Sequence, residues 1–424
     1  MLAALLALWI AGCAGAEGLY AVRTERLCAV VDAAGTPVAE GADLEDALVL
    51  PDVDRLALKR GGRYRLCDAS GAPVSDVEFD WIAQLDGALV FRDGPRFGAM
   101  AADGEALVAP EWTQLVPCGN GAFLALQGSP YDELADEIWR IAPDGAATAT
   151  GVRTLGGLQP SAEGGPLVFL TQDGRYGWLD ADGAQVASTD WQYAGQYAGG
   201  TFLVSDGDGY GLAGTDGALV VPCRYEWMAR GDDLIAAQRI DGTVDLLRGD
   251  GTALRHIDAA AERIEVAGGC VAVLSGGRTT LYGPDGDAVL EREGTVFFSA
   301  GTGGQLIAAD GEWGEACQWL VNPDGSAASG RYQRLLSLCE GRYAFAVLPV
   351  REDGGAGEWD AAVRFGLIDG EGRKLLPATC VSIVALGEDR LRIETEDAVI
   401  FADADGAPLR TWRIGGEAES EVGE

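Results

Sequence analysis

The side chains that could do chemistry here are mostly carboxylates. The chain carries 66 Asp and Glu against 31 Lys and Arg, a single histidine and nine cysteines. Closely spaced carboxylates could hold calcium or act as the acid and base of a glycosidase. Asp-x-Asp-Gly occurs at Asp180–Gly183, Asp206–Gly209 and Asp403–Gly406. A full calcium loop needs further oxygen ligands at fixed offsets and a distal bidentate Glu, which none of the three supplies, so these segments read as turns and no metal ligand is nominated. A glycosidase needs two carboxyl groups facing each other across a cleft, and among so many acids no pair stands out. The lone His256 excludes histidine-rich metal centres and leaves a His-dependent triad one candidate base. It lies in Leu-Arg-His-Ile-Asp, which reads as a strand, and so as a structural residue. Walker, Gly-x-Ser-x-Gly and dinucleotide-binding patterns are missing, so no cofactor or catalytic residue is expected. A net charge of −35 repels phosphate backbones, which argues against nucleic-acid binding.

What must position these residues is a repeat. Glycines at 35, 71, 104, 145, 183, 217, 251, 286, 325, 372 and 406 mark a period of roughly 34 residues, the spacing of a solenoid, propeller or array. Asp precedes that glycine in eight of the eleven copies. Asp-Gly between apolar runs is a hairpin signal, because both residues tolerate the left-handed conformation. Six residues earlier an aromatic-Gly pair recurs, as Phe97-Gly98, Tyr176-Gly177, Tyr210-Gly211 and Phe365-Gly366. Eight residues later comes another aromatic, Phe79, Trp112, Trp191 or Tyr225, expected in the core. Between turn and aromatic fall Pro110, Pro222 and Pro377, which suit edge strands or bulges. Runs such as Thr201–Ser205 and Leu391–Thr395 read as the last strand of each unit. Helical periodicity is confined to 131–141.

These features resemble the bacterial WG-repeat family, whose units carry an aromatic-Gly pair, a hydrophobic-Asp-x-x-Gly hairpin, a hydrophobic-Pro step and a following aromatic. The resemblance spans 19–414 and is strongest over 97–228 and 365–414. The literal Trp-Gly occurs once, as Trp313-Gly314. The resemblance implies extracellular or envelope-associated repeat modules and says little about ligand.

The expected fold is therefore all-β, a β-propeller-like array of about eleven short β-meander repeats, with an open twisted array or two propellers as alternatives. The chain reads as beginning and ending in mid-unit, so that a terminal strand would complete the unit at the other end and close a ring.

The apolar run Leu2–Ile10 followed by Ile10-Ala11-Gly12-Cys13 resembles a bacterial lipoprotein signal peptide with its lipobox, which implies lipidation of Cys13. It is shorter than the roughly 20 apolar residues that span a bilayer. Cleavage after Ala14-Gly15-Ala16 would instead release a secreted protein. Residues 1–16 are thus read as the signal segment, 17–414 as the repeat domain and 415–424 as a disordered acidic tail. The eight remaining cysteines sit mostly in apolar runs and read as buried thiols, with disulfides the alternative in an exported chain.

Function in a repeat tends to sit where the repeat is broken. The inserts 129–139, 312–319 and 352–359 carry Tyr131, Trp139, Trp313, Trp319 and Trp359 as candidate binding residues. The reading is a non-catalytic, monomeric cell-envelope module for extracytoplasmic proteins or glycans, attached to the membrane through a lipid. The alternative is a polysaccharide hydrolase using paired carboxylates on a propeller.

Overall fold

A computed structural model of the chain describes residues 18–85, 88–119, 121–128, 136–159, 166–180, 182–185, 190–310, 317–347 and 363–414. Cys13, Tyr131, Trp313, Trp359, the signal segment and the acidic tail lie outside them. The described residues form eleven antiparallel sheets, each built from strands consecutive in sequence. Numbered in chain order they span 19–40, 46–79, 81–112, 114–154, 167–179, 193–225, 227–257, 263–293, 296–321, 334–380 and 382–413. Eight of the eleven have four strands. The fold is all-β and propeller-like.

Each repeat feature has a physical reason. At the first hairpin the Gly35 N–H donates to Asp32 O at 2.9 Å and the Asp32 N–H to Thr36 O at 2.9 Å, with Gly35 at φ +84°. This is a type I turn closed by a left-handed glycine. The Asp32 carboxylate accepts from the Ala34 and Thr36 N–H groups at 2.9 and 2.8 Å, so its role is to pin the turn backbone. Asp103, just before its glycine, does the same for the Glu105 N–H at 3.0 Å. The expectation that these aspartates adopt the left-handed conformation is corrected: among described non-glycine residues only Asp54 has positive φ.

The prolines and the aromatic-Gly pairs belong to one device. In sheet 3 Phe97 pairs with Trp112 and Ala99 with Val108, so two residues face four across a bulge that contains Pro110. Tyr210–Tyr225 and Leu212–Val221 repeat this around Pro222, and Phe365–Cys380 and Leu367–Leu376 around Pro377. All three prolines sit on edge strands, where the missing N–H breaks no ladder bond. The bulged carbonyl closes over the glycine: a Cβ on Gly98 would lie 2.6 Å from Val108 O, and on Gly211 2.5 Å from Val221 O. Phe79, Trp112, Trp191 and Tyr225 are all buried, at 0, 5, 8 and 1% exposure, as expected.

The described residues fall into two compact units, one drawn from 18–62, 67–73 and 295–414, the other from 63–66 and 74–294. In the first, shared apolar clusters join sheets 9 to 10, 10 to 11 and 11 to 1, and join sheet 1 to the opening strands of sheet 2. In the second, clusters join sheets 3 through 8 in sequence.

Three expectations change. The expected strand exchange is overturned: Leu19–Arg23 pairs with Cys28–Asp32 in sheet 1, and sheet 11 takes all four strands from 382–413. The apolar runs assigned to the end of each unit are second strands of the next sheet, as Thr201–Ser205 pairs with Tyr193–Ala198 and Tyr210–Gly214. The helix over 131–141 is overturned where described, because Asp136–Ile141 is a strand between Phe123–Leu126 and Ala147–Thr154.

Candidate functional site

Of the insert aromatics, Trp139 and Trp319 fall within the described residues. Trp139 is half-buried on its strand, 6.2 Å from the Trp112 ring. Trp319 is 4% exposed, and the Arg331 guanidinium covers its ring at 4.6 Å. Both rings serve packing at these positions.

A polar depression of about 580 Å³ opens in the first unit, lined by Gln305, Asn322, Arg342, Asp369, Glu371 and Arg373 among others. The Asp369–Gly372 hairpin of sheet 10 forms one wall. Asp369 accepts from the Glu371 and Arg373 N–H groups at 3.0 and 2.8 Å and from Arg373 Nε at 2.6 Å. Burial pushes this carboxyl up, but the Arg373 and Glu371 hydrogen bonds outweigh it and hold the group below the usual carboxylate range. Gln305 Nε2 donates to Asn322 Oδ1 and Gly370 O, both at 2.8 Å, while its Oε1 accepts from Tyr343 Oη at 3.0 Å. Arg342 is paired with Asp405 at 2.6 Å. The chemistry available here is hydrogen bonding to a small polar group, since each charge already has an opposite partner.

A second polar cluster, in the other unit, surrounds Asp245. This residue is 6% exposed within Val244–Arg248 and receives Tyr225 Oη at 2.8 Å, Arg239 Nε and Nη2 at 3.0 and 2.8 Å, and His256 Nδ1 at 2.7 Å. Burial raises its pKa, and the bonds from Tyr225, Arg239 and His256 more than reverse that. His256 stands directly opposite Asp245 in the neighbouring strand. A His–carboxylate contact is half of a hydrolytic triad, whose other ring nitrogen must reach a nucleophile. Here Nε2 faces Asp258 Oδ1 at 3.1 Å, so the ring is bracketed by two carboxylates. The cluster is a satisfied structural network. Its sequence signal was an acid inside the apolar run Val244-Asp245-Leu246-Leu247, with partners too far away in sequence to connect.

The first aspartate of each Asp-x-Asp-Gly segment acts locally, while Asp182 and Asp405 pair with Arg140 and Arg342 of the preceding sheets. Asp180 Oδ1 accepts from the Asp182 and Ala184 N–H groups at 2.9 Å each, and Asp403 Oδ1 from Asp405 and Ala407 at 3.0 and 2.8 Å. Among the described residues no three Asp, Glu, His or Cys side chains converge as a metal site would require. The eight described cysteines are free thiols, five of them buried, and burial pushes Cys28 and Cys118 up to about 11. No described helix is long and apolar enough to cross a membrane.

No family model and no curated protein matches this chain. Among solved structures it is similar to a eukaryotic initiation factor, at 11% identity and a TM-score of 0.43 over 94% of this chain and 96% of that one. It is also similar to BamB from Moraxella catarrhalis, at 13% identity and a TM-score of 0.30 over 62% and 92%. A third is the WD40 beta propeller domain of Doa1, at 14% identity and 0.26 over 55% and 88%. Likenesses this distant carry no information about ligand or partner.

Proposed function

We propose that this chain is a non-catalytic β-repeat module that binds or scaffolds proteins or glycans outside the cytoplasm, held at a membrane by lipid on Cys13. The observation that supports it is where the polar chemistry is spent. The repeat carboxylates pin turn backbone, as at Asp32, Asp180 and Asp403, and the buried Asp245 is saturated by Tyr225, Arg239 and His256. Groups so engaged stabilise a rigid frame, and rigid repeat frames present surfaces for binding. The WG-repeat resemblance, carried by the Asp-x-x-Gly, aromatic-Gly and hydrophobic-Pro steps of the sequence, supports an envelope setting.

Two experiments test this reading. Labelling with a clickable palmitate analogue should mark the full chain in the membrane fraction, and Cys13→Ala should abolish the label. An unlabelled, soluble wild-type chain would remove the anchor from the proposal. The full chain should also retain a ligand on a glycan array or in a pull-down from envelope extract. Silence in both would defeat the binding role.

A further inference from the structure

The Asp245 network is closed on itself, but the depression beside the Asp369–Gly372 hairpin leaves polar groups unspent. Sheet 9 borders it and has three regular strands, where eight of the eleven sheets carry a fourth. Past Val321 its edge makes only the isolated bridges Val321–Ala327 and Gln318–Tyr332. The hairpin rests on this irregular edge, since a Cβ on Gly372 would come within 2.8 Å of the Ser329 Cβ. Asn322 and Ala328 of the edge and Arg373 of the hairpin line the same recess.

Arg373 is the first of the unspent groups. Its Nε is held by the buried Asp369 at 2.6 Å and lies 3.4 Å from Glu371 Oε2, while neither Nη group has a partner among the described residues. A buried carboxylate thus fixes the direction of an exposed fork of N–H donors. Asn322 is the second. Its Oδ1 accepts from Gln305 Nε2 and its Nδ2 donates to Ser326 Oγ at 3.0 Å, which leaves one N–H and one lone pair over. Glu371 adds an exposed carboxylate whose one contact is with Arg373 Nε.

We propose that this depression binds a neutral sugar, as one unit of a glycan, through its hydroxyl groups. The inference rests on the module reading above and names which of its two ligand classes this site takes. Charge decides first. On the lining Arg342 and Arg373 balance Asp369 and Glu371, so a charged ligand would leave a charge uncompensated. An anion is further opposed by the chain's net charge of −35, and a cation by the Arg373 fork. The unspent groups agree, with donors on Arg373 and Asn322 and acceptors on Asn322 and Glu371. A hydroxyl donates and accepts at once, so hydroxyls on neighbouring ring carbons satisfy both kinds. Among the described lining residues Ala328 has the one apolar side chain, which leaves no pocket for the aromatic or aliphatic anchor of a protein partner. The volume of about 580 Å³ falls within the roughly 300–1,000 Å³ of small-ligand sites.

The test is saturation-transfer NMR of the full chain with glucose, galactose, mannose and N-acetylglucosamine in turn, and with glucuronate and glucosamine as charged controls. At least one neutral sugar should receive saturation at millimolar concentration and bind more tightly than either control. Arg373→Lys, which keeps a cation beside Asp369 and removes the fork, should weaken that sugar by roughly tenfold. Glu371→Gln tips the lining positive. It should weaken the neutral sugar by about threefold and strengthen glucuronate by about threefold or more. A merely structural role for these side chains would not change the charge preference. Both are exposed, and thermal unfolding confirms that each variant is folded. Should Arg373→Lys fail to fold, Glu371→Gln decides. Silence from all four neutral sugars overturns the proposal. So does a parent chain that prefers glucuronate or glucosamine, or neutral-sugar binding indifferent to both substitutions. If the sugar site fails while the chain still retains a protein from envelope extract, the module reading stands.

Discussion

Gly35, in the first hairpin, rests on Arg410 in the last strand: a Cβ on Gly35 would come within 3.1 Å of the Arg410 Cβ and 3.2 Å of Leu409 O. The same seat recurs between consecutive sheets, with Gly406 against Leu376, Gly104 against Ser75 and Gly251 against Val220 and Val221. Each turn glycine therefore answers two demands, a left-handed backbone and the close approach of one sheet to the next. Sheet 11 meets sheet 1 by the contact that joins sheets 10 and 11, which is how the chain ends pack without exchanging a strand.

Glycine substitutions should separate the two demands. Gly94 has φ +57° with nothing near its Cβ position, whereas Gly104 has φ +84° and would place a Cβ 2.5 Å from the Ser75 Cβ. Gly94→Ala should cost about 1–2 kcal/mol from backbone strain alone. Gly104→Ala should add about 1–3 kcal/mol of overpacking. Urea unfolding of the two variants reads the difference, and equal midpoints would contradict the seat.

Gly211→Ala probes the bulge, since its Cβ would meet Val221 O at 2.5 Å without any left-handed strain. The expected loss is about 1–3 kcal/mol, with amide exchange fastest in Leu219–Tyr225. A variant as stable as the parent would show that the edge strand can retreat.

The Asp245 network sets a pH dependence. Asp245 and Asp369 both have folded pKa values below those of free carboxylates, despite burial that opposes the shift. Their stabilisation is complete above the unfolded pKa and is lost as pH falls through the lower folded values. Urea midpoints should therefore fall on acidification below the usual carboxylate range. Asp245→Ala should flatten part of that slope and leave the Tyr225 hydroxyl without its acceptor, at a cost of about 1–3 kcal/mol. An unchanged slope would contradict the network.

Thiol chemistry provides a further check. With Cys28 and Cys118 pushed up to about 11, little thiolate exists at pH 7, and Cys28 is also buried. Iodoacetamide should label both slowly in the native chain and rapidly in urea. Rapid native labelling of Cys28 would contradict its packing beside Leu56 and Leu58.

The hairpins, the core aromatics and the edge prolines were legible because each depends on residues within about eight positions of one another. Sheet boundaries were less so. An apolar run such as Thr201–Ser205 looks the same as the end of one sheet or the second strand of the next, and only pairing decides. Asp136–Ile141 misled because Ile138 and Ile141 are three apart, a helical spacing that a bulged strand also accommodates. The Asp245 network was invisible in the sequence, because it draws partners from three strand or turn segments.

The most direct test of the central claim follows a retained ligand through binding to recovery. A glycan or peptide held by the full chain should be released intact after overnight incubation, by mass spectrometry and by reducing-end assay. Cleaved product that accumulates with time would contradict a non-catalytic module.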